Sequence, residues 1–377
     1  MEYLLIICII GAIYSYALYP LILAFVPKRH LLATAASHDF VPTVDLIITA
    51  HNEASRIQEK IENALLLDYP RDKLTIIVAS DGSTDATNAI VESYAHRSVQ
   101  LVDVTEHDGK EHAQLCAIKA SHNELIVFSD VATQMETDAL QNLVALFSDA
   151  HVGAVSSEDR FIADSGDIAG EGLYVKYEMW LRQLESERAG LIGLSGSFFA
   201  ARREICDHWD TRSPSDFNTA LQCNAHGKIA ISSDRVLGFY KDLKDPQKEY
   251  NRKVRTVLRG ITALMRHLDS LNVFKHGLFA FQVWSHKVMR WLVPWFLLGT
   301  ALLSIALCAQ HWFYALLCLE QLVFYGIAFF AWKIDTLRNN ALAKIIFFFV
   351  QVNISIAHAT VKYITGTRMT VWSPSQR

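Results

Sequence analysis

The side chains best placed to do chemistry lie in residues 45–85, DLIITAHNEASRIQEKIENALLLDYPRDKLTIIVASDGSTD, where two short apolar runs each end in a polar triplet. His51, Asn52 and Glu53 follow the first run, and Asp81, Gly82 and Ser83 follow the second. Residues 45–50 and 74–79 are β-branched and too short for core helices, whereas residues 55–67 carry apolar side chains at helical spacing and end at Tyr69-Pro70. Strand, crossover helix and second strand predict a parallel pair, and ligands of such sheets sit beyond the carboxyl ends of the strands. Both triplets therefore fall at a ligand edge, as in a nucleotide-binding half-domain.

The elements that must hold these triplets continue the alternation. Residues 99–104 and 124–129 read as further strands, with helices at 85–94, 111–120 and 137–147. After Ser156 the regular pattern stops. An amphipathic stretch at 170–188, a strand at 193–200, a helix at 216–226 and a basic helix at 246–267 follow. With no repeat, low-complexity run or long linker between them, one soluble domain is the economical expectation.

Composition bounds the rest. The chain has 377 residues, 51% of them hydrophobic, and 17 Gly against 8 Pro, which describes an ordered domain plus apolar segments. Residues 3–26 carry no charge and are followed by Lys28, Arg29 and His30. That run is long enough for about 30 Å of hydrocarbon at about 1.5 Å per residue. It lacks the basic start and the short apolar run of a cleaved signal peptide, so an uncleaved anchor with its Lys28-Arg29 side in the cytoplasm is expected. Residues 291–309 and 312–332 form two more spans bordered by Trp. Gln351, Asn353, His358 and Lys362 interrupt residues 345–364, and basic residues on both sides of that run, Lys333, Arg338 and Lys344 before it and Arg368 and Arg377 after it, favour an interfacial segment over a full crossing. Glu320, in mid-span, calls for a packing contact with Gln321 or a tyrosine. Six cysteines without metal-type spacing read as free thiols of a reducing compartment, and His107, His112 and His286 as structural. A net charge of -4 gives no sign of a nucleic-acid partner.

The order of motifs resembles that of membrane-bound family 2 glycosyltransferases, the GT-A-fold group that includes cellulose and hyaluronan synthases, over residues 42–291. Ala50, His51, Asn52 and Glu53 resemble that family's base-binding loop, and Asp81 its acidic contact to uracil or ribose. Asp108-Gly109-Lys110 resembles the loop whose lysine lies near the nucleotide. Phe128-Ser129-Asp130-Val131-Ala132 stands where the family has its DxD metal motif. Residues 195–203, SGSFFAARR, resemble the strand lining the acceptor pocket, Asp216 with Leu221 and Gly227 the segment supplying a general base, and Arg252-Lys253-Val254-Arg255-Thr256 the QxxRW motif. The resemblance implies an α/β fold of GT-A type that binds a nucleotide sugar, with an N-terminal anchor at 1–30, a cytoplasmic catalytic domain at 40–245, basic interfacial helices at 246–290 and membrane segments at 291–377.

The implied chemistry needs such residues. Sugar transfer from a nucleoside diphosphate leaves a diphosphate whose charge is stabilised by a divalent ion, Mg²⁺ or Mn²⁺, and by basic groups such as Arg255. Asp130 would supply one metal ligand, and Asp216 would take the acceptor proton. Against these stand plainer readings: Asp81 and Asp216 as helix caps, and Arg255 among Arg252, Lys253 and Arg259 as a headgroup-facing surface. Ala132 replaces the second acidic residue of the metal motif, so metal binding should depend mostly on the nucleotide. Arg252 and Thr256 replace the Gln and Trp of QxxRW, which argues for adding one sugar. The expectation is an inverting transfer from a nucleotide sugar, UDP-linked by preference, to a saccharide or lipid-linked acceptor at the cytoplasmic face of the inner membrane. A processive polysaccharide synthase and a non-catalytic nucleotide-binding membrane subunit are the alternatives.

Overall fold

The computed structural model describes residues 1–29, 39–162, 173–241 and 246–369. His30, the start of the 170–188 stretch and Arg377 lie outside them. The chain divides into two compact units. One comprises Met1–Phe25, Lys244–Thr262 and Phe281–Arg368, the other Val26–Leu243, Ala263–Ala280 and Met369–Arg377.

In the second unit an 8-stranded sheet runs in the order β3-β2-β1-β4-β7-β6-β8-β5. Its strands are β1 (Val44–Ala50), β2 (Leu74–Asp81), β3 (Val99–Val104), β4 (Leu125–Asp130), β5 (Gln134–Met135), β6 (Val152–Ile162), β7 (Phe198–Arg202) and β8 (Ile229–Lys241). β1 pairs in parallel with β2 and β4, and β2 with β3, while β7 is antiparallel to both β4 and β6. Parallel strands are buried on both faces, which is why β1 reads as an almost unbroken apolar run. Val44, Leu46 and Ile48 join Ile57, Ile61 and Ala64 of the crossover helix Ile57–Leu65 in one core. Ile47 joins Ala113 and Ala117 of the helix Lys110–Ala120 in the other. Asp45 interrupts the run without cost because its carboxylate accepts from Ser121 Oγ at 2.6 Å and from the Asn123 amide at 3.0 Å.

Beyond β4 the sequence pattern misleads. The strand expected at 193–200 begins at Phe198, so residues 193–197 are irregular backbone leading into it. β6 and β8 were not anticipated. Ser156 and Ser157 of β6 are buried polar residues, and register shifts between Val152 and Ala154 and between Ser156 and Glu158 break the period-two alternation.

Among the described residues, four helices are long and apolar enough to cross a membrane: Glu2–Phe25, Val273–Leu307, Trp312–Lys333 and Ala341–Ile364. Gly11 and Gly299 let the first two approach closely, since a Cβ would meet the Phe296 ring at 2.6 Å and Cys8 Sγ at 2.8 Å respectively. The second starts well before residue 291 and carries a non-helical Gly277 (φ 52) near its start. The contact expected of Glu320 is absent among the described residues: its side chain is exposed, and Gln321 instead donates to Ser304 Oγ at 2.9 Å. The polar residues that favoured an interfacial fourth segment do not interrupt its helix. Asn353 and Ser355 are buried, and His358 Nδ1 is hydrogen-bonded to the Tyr250 hydroxyl at 2.9 Å.

Candidate active site

The carboxyl ends of β1 and β2 lie side by side, Ala50 opposite Ser80, and their loops are laced together. Ala50 is the buried last residue of β1. His51 donates from Nδ1 to the Asp81 carbonyl at 2.5 Å. Asn52 has a left-handed backbone (φ 53), which asparagine tolerates. Its amide donates to Ser83 Oγ at 3.1 Å and its side-chain oxygen accepts from the Thr84 amide at 2.8 Å. The Glu53 carboxylate takes two bonds from Arg56, at 2.8 and 2.7 Å, and its amide donates to Thr87 Oγ1 at 2.8 Å. Asn52 and Glu53 thus brace the loop that displays His51.

Asp81 is 1% exposed. Its Oδ1 accepts from the amides of Asp108 and Gly109, both at 3.1 Å, and its Oδ2 lies 2.9 Å from His107 Nδ1. Asp81 is therefore not a helix cap: it ends β2 and secures the turn that leads into the Lys110–Ala120 helix. His107, read from sequence as structural, belongs to this group, with its ring stacked on that of His51 at 3.9 Å between centroids. Gly82 (φ 61) is required where the loops cross, because a Cβ would stand 2.7 Å from the His107 nitrogen.

The same helix start delivers Lys110 to the end of β4. Its ammonium donates to Asp130 Oδ1 at 2.5 Å and to the Gly196 carbonyl at 2.9 Å. The Asp130 amide donates to the Ser197 carbonyl at 2.9 Å. Behind Asp130, the fully buried Lys60 donates to Ser129 Oγ at 2.7 Å and to the Thr133 carbonyl at 2.5 Å. Burial pulls the Lys60 pKa down to about 7, with the Asp130 charge acting in the opposite sense. On the far side of the 195–197 segment, a Cβ at Gly196 would lie 3.5 Å from Asp216 Oδ2. Asp216 sits in the first turn of Ser215–Ala225, whose N-cap is Pro214, so it does not hold the cap position. Ser195 and Ser197 each donate to Asp159 Oδ1 at 2.6 Å. Lys110, Asp130, Asp216 and Asp159 are therefore gathered around one tripeptide, Ser195-Gly196-Ser197. Lys60 and Asp159 carry no motif, and their contacts join residues far apart in sequence. Arg255 is half-buried on the helix Pro246–Arg266 and belongs to the other unit.

A divalent ion at the end of β4 would find one carboxylate, Asp130, with its side chain 31% exposed and one oxygen bonded to Lys110; Ala132 adds none. The residues fit such an ion as a single ligand, with the remaining oxygens coming from elsewhere. Three donor atoms do come together at His51, Asp81 and His107, all within 4.8 Å of one another. That nitrogen-rich set suits a transition metal better than Mg²⁺.

Residues 45–209 match the family model described as Glycosyl transferase family 2. The chain is 25% identical over 193 residues to the poly-beta-1,6-N-acetyl-D-glucosamine synthase of Staphylococcus epidermidis, a match covering 49% of this chain and 46% of that protein. It is 25% identical over 186 residues to the beta-monoglucosyldiacylglycerol synthase of Nostoc sp., covering 47% and 40%. Each match thus spans less than half the relative's own length. Among solved structures, the mannosyltransferase PcManGT of Pyrobaculum calidifontis, in complex with GDP-Man and Mn²⁺, superposes with a TM-score of 0.73 at 22% identity, covering 96% of this chain and 98% of that one.

Proposed function

We propose that this chain, which carries a glycosyltransferase family 2 domain on a GT-A fold, transfers a sugar from a nucleotide sugar, UDP-linked by preference, to a saccharide or lipid-linked acceptor with inversion at the anomeric carbon. The observation that supports the reading is the meeting of Lys110, Asp130 and Asp216 on Ser195-Gly196-Ser197. In this reading Asp81, with Ala50, His51, Asn52 and Glu53 shaping its surroundings, receives the base or ribose. Lys110 meets the diphosphate as charge builds on the leaving group. Asp216 accepts the acceptor's proton as its oxygen attacks the face of the sugar opposite the diphosphate, and one displacement inverts the centre. Asp130 would hold a divalent ion together with donor oxygens, and the bound ion would supply Lewis-acid stabilisation of the diphosphate.

The four candidate spans support a membrane setting, with the α/β unit on the cytoplasmic side and an acceptor drawn from the bilayer surface. Purified protein screened against nucleotide sugars for thermal shift and nucleotide release tests the proposal, and binding or release with none of them would refute it. Ala132 favours a second reading, a non-catalytic nucleotide-binding subunit, which would bind a nucleotide yet release none from its sugar.

A further inference from the structure

Asp159 stands at the candidate site without a role in the transfer chemistry above. Its Oδ1 receives two hydroxyl hydrogen bonds, from Ser195 and Ser197, both at 2.6 Å, and the two hydroxyls lie 2.8 Å apart. Its Oδ2 receives none among the described residues. Next to it on β6, Arg160 is paired with Glu158 at 3.2 Å. The two serines flank Gly196, whose carbonyl binds Lys110 and beside which Asp216 lies. The tripeptide therefore separates two kinds of surroundings. Lys110 offers positive charge suited to a phosphate, whereas Asp159 and Asp216 offer negative charge that would repel one.

An ionised carboxylate only accepts hydrogen bonds, so its complement is a hydroxyl or amide donor. Holding Oδ1 by two donors fixes the direction of Oδ2 before any ligand arrives, which lowers the ordering cost of binding. We infer that Asp159 binds the acceptor, a neutral hydroxyl-rich group such as a sugar or glycerol headgroup, through Oδ2, and so aligns its attacking hydroxyl with Asp216. This rests on the transfer reading above. It adds a substrate-binding residue that motif order does not reveal.

Asp159→Asn separates this role from a structural one, because the amide oxygen can still accept from both serines while an NH₂ donor replaces Oδ2. The full chain is assayed for nucleotide release from UDP-glucose, UDP-N-acetylglucosamine and GDP-mannose, with methyl β-D-glucoside or monooleoylglycerol as acceptor probe. The expected result is an acceptor concentration for half-maximal stimulation raised about tenfold or more in Asp159→Asn, the effect of losing a charged hydrogen bond. The corresponding donor concentration should match wild type. Should Asp159→Asn not fold, Ser195→Ala, which removes one of the two holding bonds, should shift acceptor half-saturation in the same direction by less. An unchanged acceptor half-saturation in a folded variant overturns the inference. So does a wild type that hydrolyses a donor but responds to neither neutral probe, and in that case the transfer reading survives. A wild type that releases nucleotide from none of the donors overturns the transfer reading and, with it, this inference.

Discussion

Asp81 ends β2 whereas Asp216 lies in the first turn of a helix, and their surroundings give the two carboxylates different work. Asp81 is buried and tied to two amides and to His107, so Asp81→Asn should weaken nucleotide binding by about 1–3 kcal/mol, the cost of a mismatched buried partner. Calorimetry showing unchanged nucleotide affinity in a folded variant would remove Asp81 from the donor site. Asp216 is half-buried and faces Gly196, so Asp216→Asn should keep nucleotide affinity and lower kcat by about 10²- to 10⁴-fold. Near-normal turnover would return it to a structural role. Lys60 gives a test by pH. Its folded pKa of about 7 lies below the ordinary 10.5, so between those values the unfolded chain holds a proton that the folded chain has released. Stability contributed by Lys60 then rises with pH across that window and is lowest below it. The melting temperature of Lys60→Met, relative to wild type, should therefore be most favourable near about pH 6 and fall towards about pH 9; a flat difference would contradict the assignment. Asp81, Lys110, Asp130 and Asp216 were legible because each sits in a short local motif. Lys60, His107 and Asp159 were not, since what marks them is a partner from a distant strand or loop, such as Ser129 for Lys60 and Ser195 for Asp159.

At the level of elements, β1, β2 and β4 were readable because they are buried almost throughout, and the crossover helix Ile57–Leu65 because it shows one apolar stripe. β6 and β8 were not, since β6 alternates only in part: its buried serines serve the site, Ser156 Oγ accepting from Arg182 at 2.8 Å and from the Ser195 amide at 2.7 Å. A strand that lines a polar site loses the very pattern by which strands are recognised. The loop that follows β2 depends on one backbone conformation. With φ 61 at Gly82 and the His107 nitrogen 2.7 Å from a would-be Cβ, Gly82→Ala must move the 106–109 turn that Asp81 holds. It should destabilise the α/β unit by about 1–3 kcal/mol, the usual cost of a forced backbone conformation. It should also weaken nucleotide binding more than it lowers the melting temperature would suggest, because the displaced turn carries Lys110. Denaturant titration and nucleotide titration of the same variant check both halves, and intact affinity would show that the turn shifts without disturbing the site.

For the molecule as a whole, connectivity and charge together predict a topology that can be tested. Lys28 and Arg29 follow the first span, and Lys333, Arg338 and Lys344 surround the short connection between the third and fourth. The connection between the second and third, residues 308–311, carries no acidic, lysine or arginine side chain. By the positive-inside rule the first and last of these connections are expected to face the cytoplasm and the middle one to face out. Three crossings reconcile all of them: the chain enters after Phe25, leaves through Val273–Leu307 and returns through Trp312–Lys333. Cys308 is exposed and free in the connection expected to face out, which provides a native probe. In a variant retaining Cys308 as its sole cysteine, a membrane-impermeant maleimide should label intact cells. A sole cysteine placed at Thr336 should react only after permeabilisation. The fourth helix is decided by the same experiment at its far end, where Arg368 donates to the Tyr363 carbonyl at 2.6 Å. Labelling of a cysteine at Thr367 from outside means that Ala341–Ile364 crosses, and protection means that it lies along the inner face as its polar interruptions suggested. Outside labelling at Thr336 would invert the whole arrangement and remove the α/β unit from the cytoplasm, where nucleotide sugars are made and where its proposed donor would have to be met.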